Sequence, residues 1–137
     1  MKRTILVVDD SSMVRALFRA AFGEVEDLQL HQACNGEEAF AVIKQFGEPD
    51  LIFIDVNMPV MDGLEFLDLA AKTGLQQRVP VVIISTEGRD EDVRRGLEAG
   101  ACEYVRKPFQ PQKLLAVVER LTAKPGGSGA TQGERGT

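Results

Sequence analysis

Two short apolar runs that end abruptly in acid constrain this chain more than any other feature. Ile5-Leu6-Val7-Val8 stops at Asp9-Asp10, and Leu51-Ile52-Phe53-Ile54 stops at Asp55. An unbroken apolar run of this length is the pattern of a strand covered on both faces, as in a parallel sheet flanked by helices. In such sheets, ligands and chemistry gather beyond the carboxyl ends of the strands. A third strand-like segment, far downstream, closes on Lys107-Pro108. The expected result is three carboxylates and one ammonium at one edge of the fold. Carboxylates that crowded resist ionising together unless a hard cation screens them, and an oxygen-rich cluster suits Mg2+.

Between these runs, strand and helix patterns alternate. Strands are expected at 4–8, at Leu28–Ala33 on a sheet edge, at 51–54, at Val79–Ile84 and at Cys102–Arg106. Helices are expected over 12–22 with Met13, Leu17, Ala20 and Ala21 inward, then after Asn35-Gly36 with Ala39, Ile43 and Phe46 inward. A third follows the loop 57–63 with Leu64, Leu67, Ala70 and Ala71 inward. A fourth near 89–99 stops at Gly100, and the last buries Leu114, Val117, Val118 and Leu121. Helices of this length between parallel strands make right-handed crossovers. The expectation is an α/β fold, a (βα)5 doubly wound parallel sheet, over residues 1–123. Residues 124–137 are rich in Gly, without apolar periodicity, and read as a disordered tail or a linker.

A chain of 137 residues fits one core, and its 44% hydrophobic and 27% charged residues are ordinary for a soluble domain. The formal charge of −5 argues against direct binding to nucleic acid or to an anionic membrane surface. Cys34 and Cys102 stand in no metal-ligand spacing and read as two semi-buried small apolar residues. No apolar stretch reaches the core of a signal peptide or a transmembrane length, so a cytoplasmic protein is expected.

Taken in order, ILVVDDSSMVR, LIFIDVNMPVMDG, VVIISTE and EYVRKPF resemble the receiver domain of two-component response regulators over roughly residues 3–122. Among members of that family, the chain is most similar to stand-alone chemotaxis regulators. The resemblance implies a sheet ordered 2-1-3-4-5 and a set of roles. Asp55 would be the phosphoacceptor, a carboxylate able to attack phosphorus and form an acyl phosphate. Asp10, Asp55 and the backbone carbonyl of Asn57 would hold Mg2+ directly, and Asp9 through water. One of the two adjacent acids would otherwise cap the following helix, a task open to Ser11 or Ser12.

Lys107 would contact a phosphoryl oxygen and pair with Asp55 beforehand, aimed inward by a cis bond to Pro108. Ser85 would hydrogen-bond the phosphoryl group, with Thr86 where a smaller residue is common, and Tyr104 would turn inward as Ser85 moves. Asn57 and Glu87, each two residues past a site residue, would tune the lifetime of the acyl phosphate to seconds or minutes. Gly63 serves the turn into the third helix. His31, the only histidine, sits in the edge strand and reads as structural, so the phosphoryl group would come from a partner histidine kinase or from acetyl phosphate. The resemblance further implies a downstream protein target on the face made by the fourth helix, fifth strand and last helix, where Arg89, Asp92, Arg94, Arg95 and Arg106 fall.

Three other readings compete. The second signalling reading, after control of chemotaxis or motility, is the receiver part of a longer transcription factor. A Mg2+-dependent phosphohydrolase of the haloacid dehalogenase type would need a second acid two residues after the nucleophile, where Asn57 stands, and the nucleophile on the first strand. A flavodoxin-type carrier would need a hydroxyl-rich loop after the first strand, where Asp9 and Asp10 would repel a flavin phosphate.

Overall fold

A computed structural model describes residues 2–56, 58, 60–85 and 90–122, with the backbone alone of Asp90 and Asp92. The elements run β1 (Arg3–Val8), α1 (Ser12–Phe22), β2 (Leu28–Ala33), α2 (Gly36–Phe46), β3 (Leu51–Asp55), α3 (Gly63–Thr73), α4 (Leu75–Arg78), β4 (Val81–Ser85), α5 (Asp90–Glu98), β5 (Glu103–Arg106) and α6 (Pro111–Leu121). The strands form one parallel sheet in the order β2-β1-β3-β4-β5, as expected. The roles expected of Asn57, Thr86, Glu87 and Arg89, of the Asp92 side chain and of the tail 124–137 fall outside the described residues.

The apolar runs are continuous because each strand feeds two cores. Leu6, Val8, Ile52, Ile54, Val81 and Ile83 face one side and pack with Phe66, Leu67 and Ala70 of α3. Ile5, Val7, Leu51, Phe53, Val82 and Ile84 face the other and pack with Phe18 of α1 and Leu114, Val117 and Val118 of α6. Alternate residues point to opposite faces of a strand, so covering both faces removes the polar half of the usual alternation. At the edge, β2 keeps polar positions: Leu28 and Ala33 are buried while Gln29 is exposed.

Several helix faces differ from expectation. In α1, Ala21 is buried, but Met13 is 74% and Leu17 48% exposed, and Ala20 is exposed too. The buried stripe is Phe18, Ala21 and Phe22, with Val14 packed against it. Two apolar stripes one residue apart compete in this helix, and the aromatic one wins. Phe18 meets Phe53 at 5.0 Å and Phe109 at 5.2 Å between ring centroids, contacts that a rotation toward Met13 would forfeit. In α2, Phe46 lies outside the core, its ring stacked on His31 at 4.5 Å. In α3, Phe66 takes the inward place and Ala71 is exposed.

The sequence pattern does not mark the turn α4. Its four residues are too short to show a period, and Val79 N–H caps it by donating to Leu75 O at 2.9 Å, so β4 starts at Val81 rather than Val79. Cys34 is half-buried, whereas Cys102 is exposed rather than semi-buried, and both thiols are free.

Candidate functional site

Strand register brings the site together. Val8 pairs with Ile54, so Asp9 and Asp55, each one residue on, stand level on neighbouring strands. Asp55 pairs with Ile84, and Ser85 with Arg106, which carries Ser85 and Lys107 to the same edge. The Lys107 N–H donates to Ser85 O at 2.8 Å, and the Lys107-Pro108 bond is cis. Oxygens of Asp9, Asp10 and Asp55 all lie within 4.8 Å of one another. Asp9 and Asp55 are buried, while Asp10 faces solvent.

Lys107 sits between the two buried acids. Its Nζ is 2.7 Å from Asp9 Oδ2 and 3.4 Å from Asp55 Oδ2. The expected pairing with Asp55 is therefore the longer of two contacts. Asp9 attracts the ammonium more closely because it is fully buried and its other oxygen, Oδ1, already accepts from Ser11 N–H at 2.9 Å. The 2.7 Å contact is an ion pair out of hydrogen-bond alignment, which leaves Asp9 Oδ2 short of a directed donor. Ser85 Oγ is likewise buried without a hydrogen-bond partner. Fully ionised, the cluster sets three carboxylates against one ammonium.

Glycine shapes the floor. A Cβ on Gly63 would sit 2.5 Å from the carbonyl oxygen of Asp55, and Gly63 N–H donates to Val56 O at 3.1 Å. Only a residue without a side chain lets α3 start this close behind Asp55. The start of α3 is held by a capping box, Asp62 accepting from Glu65 N–H and Glu65 from Asp62 N–H. Ser11 caps α1, leaving both Asp9 and Asp10 free of that duty.

The donor set fits a hard divalent cation. Three convergent carboxylates, with the buried and unpartnered Ser85 Oγ nearby on the same edge, supply oxygen ligands and no soft ones. Tyr104 lies apart on β5, its side chain turned outward and partly exposed.

Three features escaped the sequence reading. Arg15 reaches back from α1 to donate to the backbone carbonyl of Asp9 at 2.6 Å, a link over six residues that no local pattern marks. Met13, Val14, Leu17, Pro108 and Phe109 line an apolar groove of about 220 Å³ that also includes Lys107. A larger groove of about 660 Å³ runs over β5, between Leu97, Tyr104, Arg106 and Lys113.

Residues 5–119 match the family model described as the response regulator receiver domain. Curated relatives include the phosphate regulon transcriptional regulatory protein PhoB of Klebsiella pneumoniae, 36% identical over 88% of this chain and 52% of that protein. Another is the transcriptional regulatory protein SrrA of Staphylococcus aureus, 29% identical over 98% of this chain and 54% of that protein. The chain spans about half the length of the curated relatives it matches. Among solved structures, a putative response regulator from Chloroflexus aurantiacus superposes with a TM-score of 0.82 at 29% identity, covering 90% of this chain and all of that one. The chemotaxis response regulator CheY4 of Vibrio cholerae gives 0.78 at 31% identity, over 88% of this chain and 99% of that one.

Proposed function

Because this chain belongs to the response regulator receiver family, we propose that it is a signalling switch in which Asp55 accepts a phosphoryl group from a histidine kinase. The observation that carries this reading is the shared edge: Lys107 Nζ spans Asp9 and Asp55 at 2.7 and 3.4 Å, beside the unpartnered Ser85 Oγ. A carboxylate oxygen of Asp55 attacks phosphorus in line, and the bond from phosphorus to the donor nitrogen breaks as the new P–O bond forms. Lys107 then follows the new negative charge, and Ser85 Oγ donates to a phosphoryl oxygen.

Asp10, Asp55 and the Asn57 carbonyl would hold Mg2+, with Asp9 bridged by water. That outer role suits Asp9, whose two oxygens already face Ser11 N–H and Lys107. When bound, the cation offsets the charge gathering on the phosphoryl oxygens. Asn57 and Glu87 are proposed to tune how long the acyl phosphate lasts.

A protein donor is supported by the apolar groove of Met13, Leu17, Pro108 and Phe109, which shares Lys107 with the site. Exposed apolar side chains beside a charged pocket fit a macromolecular donor better than a small one. No helix among the described residues is long and apolar enough to cross a membrane, and we place the switch in the cytoplasm with its kinase.

Output is proposed on the face of α5, β5 and α6, the fourth long helix, fifth strand and last helix. Movement of Ser85 and Lys107 toward the phosphoryl group would draw Tyr104 inward and bias that face toward a protein target. Arg94, Arg95 and Arg106 are exposed there. Chemotaxis is the first candidate for the pathway. Transcriptional control is the second, favoured by the identity of PhoB and SrrA as transcriptional regulators about twice as long. A strain carrying Asp55→Asn, scored for swimming reversals and for transcript levels, separates the two.

The decisive test of the switch is intact mass after incubation with Mg2+ and acetyl phosphate. The expected result is one phosphoryl adduct, absent without Mg2+ and absent in Asp55→Asn. An adduct that persists in the variant, or no adduct together with no beryllofluoride binding, overturns the assignment.

A further inference from the structure

Among the described residues, Arg15 is the one guanidinium tied to the backbone of the acidic loop, and the phosphoryl transfer proposed above does not use it. Asp9 is pinned by its N–H, which donates to Ala33 O at 3.0 Å, and by its Oδ1, which accepts from Ser11 N–H. Its carbonyl has left the sheet ladder and is taken by Arg15 Nη1 at 2.6 Å. That carbonyl shares a rigid peptide plane with the N–H of Asp10. Holding the oxygen therefore sets the direction in which Asp10 leaves the strand. Asp10 is the exposed member of the carboxylate trio, and burial does nothing to hold it in place.

The charge of Arg15 also reaches the neighbouring loop. The Cys34 thiol is pushed up chiefly by its hydrogen bond to Glu38, and the charge of Arg15 acts on it in the opposite sense. The guanidinium itself sits on the loop that follows β1, at the carboxyl edge of the sheet.

We propose that Arg15 is a positioning residue for the divalent cation: it clamps the Asp9 carbonyl so that the Asp10 carboxylate converges with those of Asp9 and Asp55. The proposal rests on the functional reading above. It makes a prediction opposite in sign to simple electrostatics. A cation near a cation site repels the ion within a Debye length, so charge alone says that removing Arg15 tightens Mg2+ binding. The clamp says that removal weakens it, since partners that orient ligands are worth roughly 10- to 100-fold in metal affinity.

The experiment is calorimetric titration of Mg2+ into the unphosphorylated full chain, as wild type, Arg15→Ala and Arg15→Lys. The expected Kd for Arg15→Ala is about tenfold above wild type, with Arg15→Lys between them because it keeps the charge and part of the reach. Hydrogen exchange at the Asp10 and Ser11 amides should speed up in Arg15→Ala without Mg2+. Phosphorylation by acetyl phosphate should recover in that variant as Mg2+ is raised, which damage to the acceptor itself would not permit. A Kd for Arg15→Ala equal to or below that of wild type overturns the proposal while the switch reading stands. If Arg15→Ala fails to unfold cooperatively, Arg15→Lys decides, and an unchanged Kd there overturns it. Absence of saturable Mg2+ binding in wild type overturns both.

Discussion

β1 ends in charge at both extremities, and its two ends handle that charge differently. At the amino end, Arg3 lies 2.8 Å from Asp27 and 3.0 Å from Glu119 and donates to Thr122 Oγ1 at 3.1 Å. Both acids are exposed, so water serves whatever Arg3 does not, although Arg3 Nε itself is buried without a partner. At the carboxyl end, Asp9 and Lys107 are buried together, out of hydrogen-bond alignment, with a second buried acid 3.4 Å away. One cluster ties β1 to the start of β2 and the end of α6. The other keeps charge where water cannot relieve it, poised for an incoming ligand. Proximity of opposite charges alone does not distinguish the two; burial of both partners does.

The largest effect that would test this contrast is loss of Lys107. Removing one partner of a buried ion pair leaves uncompensated charge and typically costs about 3–5 kcal/mol. Urea unfolding of Lys107→Met should show a drop of that size, with part of it recovered by Mg2+, which screens the stranded carboxylates. A loss no larger than that of a surface pair would break the comparison.

Arg3→Ala comes next, at about 1–2 kcal/mol, because its acids return to water when the pair is lost. Its Mg2+ affinity should match wild type in the same titration. The two ends of β1 are some 20 Å apart at roughly 3.3 Å per residue, so the double variant should be additive within about 0.5 kcal/mol. A larger coupling energy would show that the ends communicate through the strand.

The smallest effect is set by pH. The hydrogen bond from Arg3 holds the Asp27 carboxyl below its ordinary value of 3.8. A depressed carboxylate lends stability that is fully present above the unfolded value and disappears as pH falls through the folded one. The difference in urea midpoint between wild type and Asp27→Asn should therefore hold at neutral pH, begin to shrink as pH falls below about 3.8, and vanish once pH lies below the depressed folded value. A difference that persists there would assign the effect to packing instead.

Much of the site was legible because the runs that end at Asp9-Asp10 and Asp55 announce strands buried on both faces. Parallel strands of one sheet must then bring their carboxyl ends to a common edge. Other features were hidden for reasons that can be named. Met13 and Leu17 form as regular a stripe as Val14, Phe18 and Phe22, and no property of the helix alone chooses between them. Phe53 and Phe109 make the choice, and both are remote in sequence. Cys102 reads as a small apolar residue yet lies exposed, at the bend just before β5, the edge strand of the sheet.

By itself the sequence determined the alternation of five strands with five long helices, the buried strands and which acids and lysine meet, since hydrophobic period and topology are properties of the chain pattern. Only the tertiary structure decided that Lys107 lies nearer Asp9 than Asp55, that Arg15 holds the Asp9 carbonyl, and which face of α1 looks outward. Those outcomes depend on side-chain direction and on fractions of an ångström between residues far apart in the chain. Such distances are set when β1, β3, β4 and β5 lock into register, and no local segment carries them.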